Sequence, residues 1–270
     1  MPLAPLALSA IAVEAALILA GLVLLWRFCL SPAARSSRAP SPLPQWNTNV
    51  FQIVFLAWLV LVGGVLIQIG SLYLIDSFCL NGAARQVIAG ASFQLGMLIG
   101  CLGFVIYTDV GKQYSRPRRG FLLPGIVCFC ISLPLVFSVG SAWGGILNLM
   151  GIPASRQDLL ELLRDTRSLP LIAIMVGLAI VVAPVAEELV FRAGFFRFLR
   201  NHAPRWIALL VPSILFGALH GNLASFPQLV MLGIVFSIAY ERTSNIAVPM
   251  LAHALFNLNT VVLLFTGIDA

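Results

Sequence analysis

The sequence predicts an all-α fold, a polytopic membrane bundle of about eight transmembrane helices. Of its 270 residues 60% are hydrophobic and only 10% are charged, against roughly 25% charged in ordinary soluble domains. The apolar residues also fall in separate runs close to the 20 or so that a helix needs to cross hydrocarbon. The net charge of +6 is scattered through the connections between runs rather than gathered on a face. That marks topology and excludes nucleic acid as a partner; the partner the composition implies is the lipid bilayer.

The first run, Pro5 to Trp26, has no basic region before it and is too long for a secretory signal, so it is read as a span. Ser31 to Pro44, SPAARSSRAPSPLP, reads as a Pro/Ser-rich linker with neither helix nor strand. Three further spans follow at Phe51 to Ile75, Val87 to Thr108 and Gly120 to Val139. In Gly151 to Arg167, Pro153 and Ser155 followed by Asp158 suggest a helix start, and Leu159, Leu160, Leu162 and Leu163 give it an apolar side. Such a helix would lie in the outer interface or act as a solvated connector. The remaining spans are Ser168 to Ala186 and beyond, Arg205 to His220, Phe226 to Tyr240 and Ile246 to Thr266, of which the sixth and seventh are short. With both termini outside, twelve of the sixteen basic residues fall on the inner side. The chain divides into N-terminal helices, 1–150, with the linker at 31–44, and a C-terminal transmembrane region, 151–270.

The five cysteines are an odd number and most lie in apolar segments, so no disulfide framework is expected. Cys128 and Cys130 are two apart, a spacing that turns them to different sides of a helix and suits small apolar filler.

Polar groups inside the later spans are the exception to this apolar pattern. Glu187 and Glu188 are adjacent and therefore point about 100° apart on a helix, while Glu188 and Arg192 share a face. This suggests that Glu188 pairs with Arg192 as a scaffold and that Glu187 faces a cavity. Phe216 and His220 share a second face, and His253 and Asn257 a third. Each ionised side chain at a bilayer centre costs roughly 2.5 to 3.5 kcal/mol on insertion scales, so groups this expensive are expected to meet at one centre. Hydrolysis requires such a set: a base for water, donors for an oxyanion, and in some enzymes metal ligands. For the groups to meet, the helix of Glu187 must continue past Arg192 to about Leu199, with Pro184 as a candidate kink.

In order and spacing, Glu187-Glu188-x-x-x-Arg192, Phe216-x-x-x-His220 and His253-x-x-x-Asn257 resemble the motifs of the CPBP intramembrane proteases. That family includes the type II CAAX prenyl endopeptidases and the Abi-type bacterial proteins. The resemblance covers roughly Ser168 to Thr266 and implies an intramembrane peptidase. It implies that Glu187 and His220 activate water, that His253 and Asn257 hold the oxyanion, and that Glu188 and Arg192 shape the site. The family is commonly called metalloprotease, and Glu187, His220 and His253 match a zinc or other divalent-metal donor set; a metal-free, glutamate-activated water is the other reading. The expected substrate is a peptide or a prenylated membrane protein, and the expected place is a bacterial plasma membrane. Two other functions share these features: a proton- or ion-coupled transporter, and a non-catalytic immunity or scaffold protein.

Overall fold

A computed structural model describes residues 5–36, 43–78, 82–108, 120–153 and 158–268. Ten helices make up the described chain: α1 (Pro5–Leu30), α2 (Pro32–Ser36), α3 (Val50–Ile75), α4 (Gly82–Tyr107), α5 (Leu122–Leu149), α6 (Asp158–Asp165), α7 (Leu169–His202), α8 (Arg205–Leu219), α9 (Phe226–Thr243) and α10 (Ala247–Phe265). No strand occurs among the described residues. All eight expected spans appear as helices, and six of them, α1, α3, α4, α5, α7 and α10, are long and apolar enough to cross a membrane. At 15 residues α8 is shorter, and α9, which ends with Glu241, Arg242 and Thr243, is not among the six. The protein is an integral, multi-pass membrane protein.

The linker expectation needs one correction, because Pro32–Ser36 is helical. Ser31 Oγ accepts the Ala34 N–H at 3.1 Å, and Pro32 occupies the first helical position, where its missing N–H costs nothing. The cap outweighs the composition over these five residues. Arg38, Cys79, Lys112, Arg116, Arg118, Arg119, Ser155 and Arg156, used in the sequence reading, lie outside the described residues.

Helix α3 begins with a reciprocal cap: Asn49 Oδ1 accepts from Gln52 N at 2.9 Å and Gln52 Oε1 accepts from Asn49 N at 3.1 Å. It then packs tightly along α4, because a Cβ on Gly96 would lie 2.5 Å from the Cα of Gly64. Small residues of this kind let membrane helices approach backbone to backbone. Helix α1 joins α5 in the same way: a Cβ on Gly21 would stand 2.0 Å from the Cys130 carbonyl oxygen. The first helix is also tied to the last, Asn259 Nδ2 donating to Glu14 Oε2 at 3.0 Å. Cys128 and Cys130 are buried free thiols beside Phe129, Leu133 and Phe236, as apolar filler.

The short α6 docks on the bundle through its leucines. Leu163 is buried with Val87, Met175 and Val261, and Leu162 packs beside them. It is therefore a connector whose apolar side is covered by protein.

Candidate active site

The glutamates sit near the middle of α7, a continuous 34-residue helix that runs to His202, past the Leu199 limit the sequence required. Two stretches of π-helix, Leu178–Val182 and Leu189–Phe196, flank the segment Ala183–Glu188. The first has a local cause. Pro184 cannot donate to the carbonyl four residues back and its ring crowds it, and a wider turn relieves both. Carbonyls released inside a membrane must find donors, and Ala179 O accepts from Asn257 Nδ2 of α10 at 2.7 Å.

One helical turn separates Glu188 from Arg192, and they form an ion pair at 2.9 Å with side chains 0% and 1% exposed. The guanidinium lies 4.6 Å from the Phe216 ring centre and 5.4 Å from that of Phe236, so aromatic faces take the part of the cation that the carboxylate does not. Glu188 Oε1 also accepts from His253 Nδ1 at 3.0 Å. That bond fixes the ring and turns Nε2 toward Glu187, whose Oε2 is 3.7 Å away, longer than a hydrogen bond. From α4, Gln94 Nε2 donates to the other oxygen, Glu187 Oε1, at 3.2 Å.

His220 caps the end of α8. Its Nδ1 lies 2.8 Å from Phe216 O, which only accepts, so Nδ1 carries a proton and Nε2 is the ring nitrogen left outside that bond. Gly221 follows at φ +62°, a left-handed conformation that favours glycine. Trp143 Nε1 of α5 donates to Leu223 O at 2.9 Å and pins this loop. The Phe216 ring meets both imidazoles edge-on, His220 at 4.8 Å and His253 at 5.8 Å.

Four of the residues singled out in the sequence, Glu187, Glu188, Arg192 and His253, thus form one network. His220 joins it through Phe216, and Asn257 clamps α10 to the widened turn of α7. The sequence reading passed over Gln94 and Phe236. A carboxamide inside an apolar span was the available signal for the first; nothing in the sequence distinguishes Phe236 from the other phenylalanines. Among the described residues no three His, Cys, Asp or Glu side chains are grouped so as to hold a metal ion.

Residues 169–259 match the family described as type II CAAX prenyl endopeptidase Rce1-like, a stretch that contains all three motifs. The match covers about a third of the chain, and over that stretch the chain is similar to that family. Among curated proteins it is 30% identical over 142 residues to the "Putative membrane peptidase YdiL" of Bacillus subtilis (strain 168), covering 53% of this chain and 56% of that one. It is 31% identical over 103 residues to the membrane-embedded CAAX protease MroQ of Staphylococcus aureus (strain USA300), covering 36% and 40%. The chain spans about half the length of the first curated relatives it matches. No solved structure matches it.

Proposed function

We propose that the protein is an intramembrane endopeptidase of a bacterial plasma membrane that hydrolyses a peptide bond in a membrane-associated or lipidated protein. The observation that carries this reading is the facing pair Glu187 and His253, 3.7 Å apart, each held from behind by a separate partner. The family match over residues 169–259 and the printed names of the relatives support the same reading.

In this reading Glu187 removes a proton from water as the water oxygen adds to the scissile carbonyl carbon. His253, charged and balanced by Glu188, donates from Nε2 to the oxyanion. With that proton in place, Glu187 and Glu188 cancel Arg192 and His253, a neutral sum suited to a site enclosed by lipid. The lone pair on His220 Nε2 provides a second acceptor for the water proton, and the second N–H of Asn257 a second donor to the oxyanion. Collapse of the tetrahedral carbon breaks the C–N bond, and the proton held by Glu187 passes to the leaving nitrogen. No step uses a metal.

The test is cleavage of a panel of quenched-fluorescent, lipidated and unlipidated peptides by the purified protein in nanodiscs. Replacing Glu187 with Gln is expected to lower kcat by about 100-fold or more, the usual scale of general-base loss. Proton-dependent solute flux with no cleavage by the unaltered protein would replace the peptidase with the transporter reading.

A further inference from the structure

Gln94 lies on α4, outside the three motifs and outside residues 169–259, and its two amide atoms differ in what they meet. Nε2 donates to Glu187 Oε1, while Oε1 is buried without a hydrogen-bond partner. Rotating the amide by half a turn would set its oxygen against the carboxylate oxygen, two acceptors with no proton between them. Glu187 therefore locks an unpaired acceptor in place. A buried acceptor left unpaired costs about 1 to 3 kcal/mol, and lipid offers no donor to relieve it.

The same seam between α4 and α7 continues into an apolar hollow. Seven residues beyond Gln94 is Cys101 and seven beyond Glu187 is Gly194; both line the hollow with Val105 and Leu189, and Leu56 of α3 and Trp46 complete its wall. Helical rise puts it about 10 Å from the Gln94 and Glu187 pair, a distance an extended chain covers in about three residues.

We propose that the seam between α4 and α7 is a binding cleft for an extended apolar peptide. Gln94 Oε1 accepts a backbone N–H of the bound segment, and the hollow takes one of its apolar side chains about three residues away. The cleft rests on the peptidase reading and gives it a substrate path: the same carboxamide that holds Glu187 aligns the peptide beside it. The oxygen is covered in the closed bundle, so the peptide enters by parting α4 from α7, the Gln94 bond to Glu187 re-forming once the peptide is seated, and α4 moves together with α3, against which Gly96 lies without room for a Cβ.

The experiment uses the full chain in nanodiscs with a photo-crosslinking benzoylphenylalanine at Val105, which is 42% exposed, or at Leu19 on the lipid side of α1, 64% exposed, as control. The probe is a quenched-fluorescent peptide with an apolar centre of about 20 residues. Capture at Val105 is expected to exceed capture at Leu19 about tenfold, and Gln94→Met to lower it about tenfold, the scale of one hydrogen bond to a buried acceptor. A probe N-methylated at its central amides, used on the chain with native Gln94, is expected to lose the same factor, which removes dependence on how Gln94→Met folds. Equal capture at both positions, or capture unmoved by N-methylation because water fills the place, overturns the cleft. Cleavage is read in the same samples. Val105 capture without cleavage keeps the cleft and removes the peptidase, whereas cleavage without Val105 preference does the reverse.

Discussion

His253 Nδ1 stands 3.0 Å from Glu188 Oε1, and the same oxygen lies 2.9 Å from Arg192 Nη1. One carboxylate oxygen thus fixes an imidazole from α10 and a guanidinium on its own helix, all three side chains almost wholly buried. Glu188→Gln leaves the Arg192 cation buried without its anion, a loss of about 3 to 5 kcal/mol. Cys101, Cys128 and Cys130 are buried, so a thiol-reactive dye followed on heating reports the loss directly. Glu188→Leu with Arg192→Met is expected to recover most of the stability and none of the cleavage.

Asn257 and Ala179 give a prediction that separates structure from chemistry. Asn257→Ala removes the donor to a carbonyl freed by the wide turn before Pro184. About 1 to 3 kcal/mol is expected to be lost from the thermal unfolding of the purified protein. Asn257→Gln, which retains the carboxamide, is expected to return at least part of it.

Chelation bears on the donor arrangement. With no three grouped ligands among the described residues, 1,10-phenanthroline is expected to leave cleavage within a factor of about two, whereas an open zinc site with three protein ligands would lose its metal and its activity.

At the far end of α7, Arg200 Nε donates to Glu241 Oε1 at 2.6 Å and Arg205 Nη2 pairs with Glu241 Oε2 at 2.7 Å. This one carboxylate, 5% exposed, fastens the connection between α7 and α8 to α9. Glu241→Gln is expected to cost about 2 kcal/mol, the scale of a charge-assisted hydrogen bond. Arg200 and Arg205 are 31% and 50% exposed, so raising the salt should narrow the difference between variant and parent in the same melting assay.

Much of the site was legible because charge in lipid is expensive. Glu187, Glu188, Arg192 and His253 were singled out by cost and by their spacing of four, and they meet. The continuation of α7 beyond Arg192 was legible from depth alone, since two carboxylates at a helix end could not reach a partner. Gln94 was missed because a neutral carboxamide is cheaper than a charge and lies 93 residues from its partner. The wide turns of α7 were missed because α and π forms share one sequence preference; a proline and a clamp from another helix decide between them. The helix at Pro32–Ser36 was overlooked because composition outweighed a local cap in the reading and not in the fold.

Helix α1 lies outside the family match, and its most apolar stretch is only 6% buried, which would suggest a dispensable anchor. Its Gly21 contact says otherwise. Pro134 supplies no N–H to the carbonyl of Cys130, four residues earlier in α5, and that oxygen is the one Gly21 backs onto, a weak C–H donor where lipid has none. Removing α1 alone would hand that oxygen to acyl tails, so this helix serves as cover for a gap in the α5 backbone as well as an anchor.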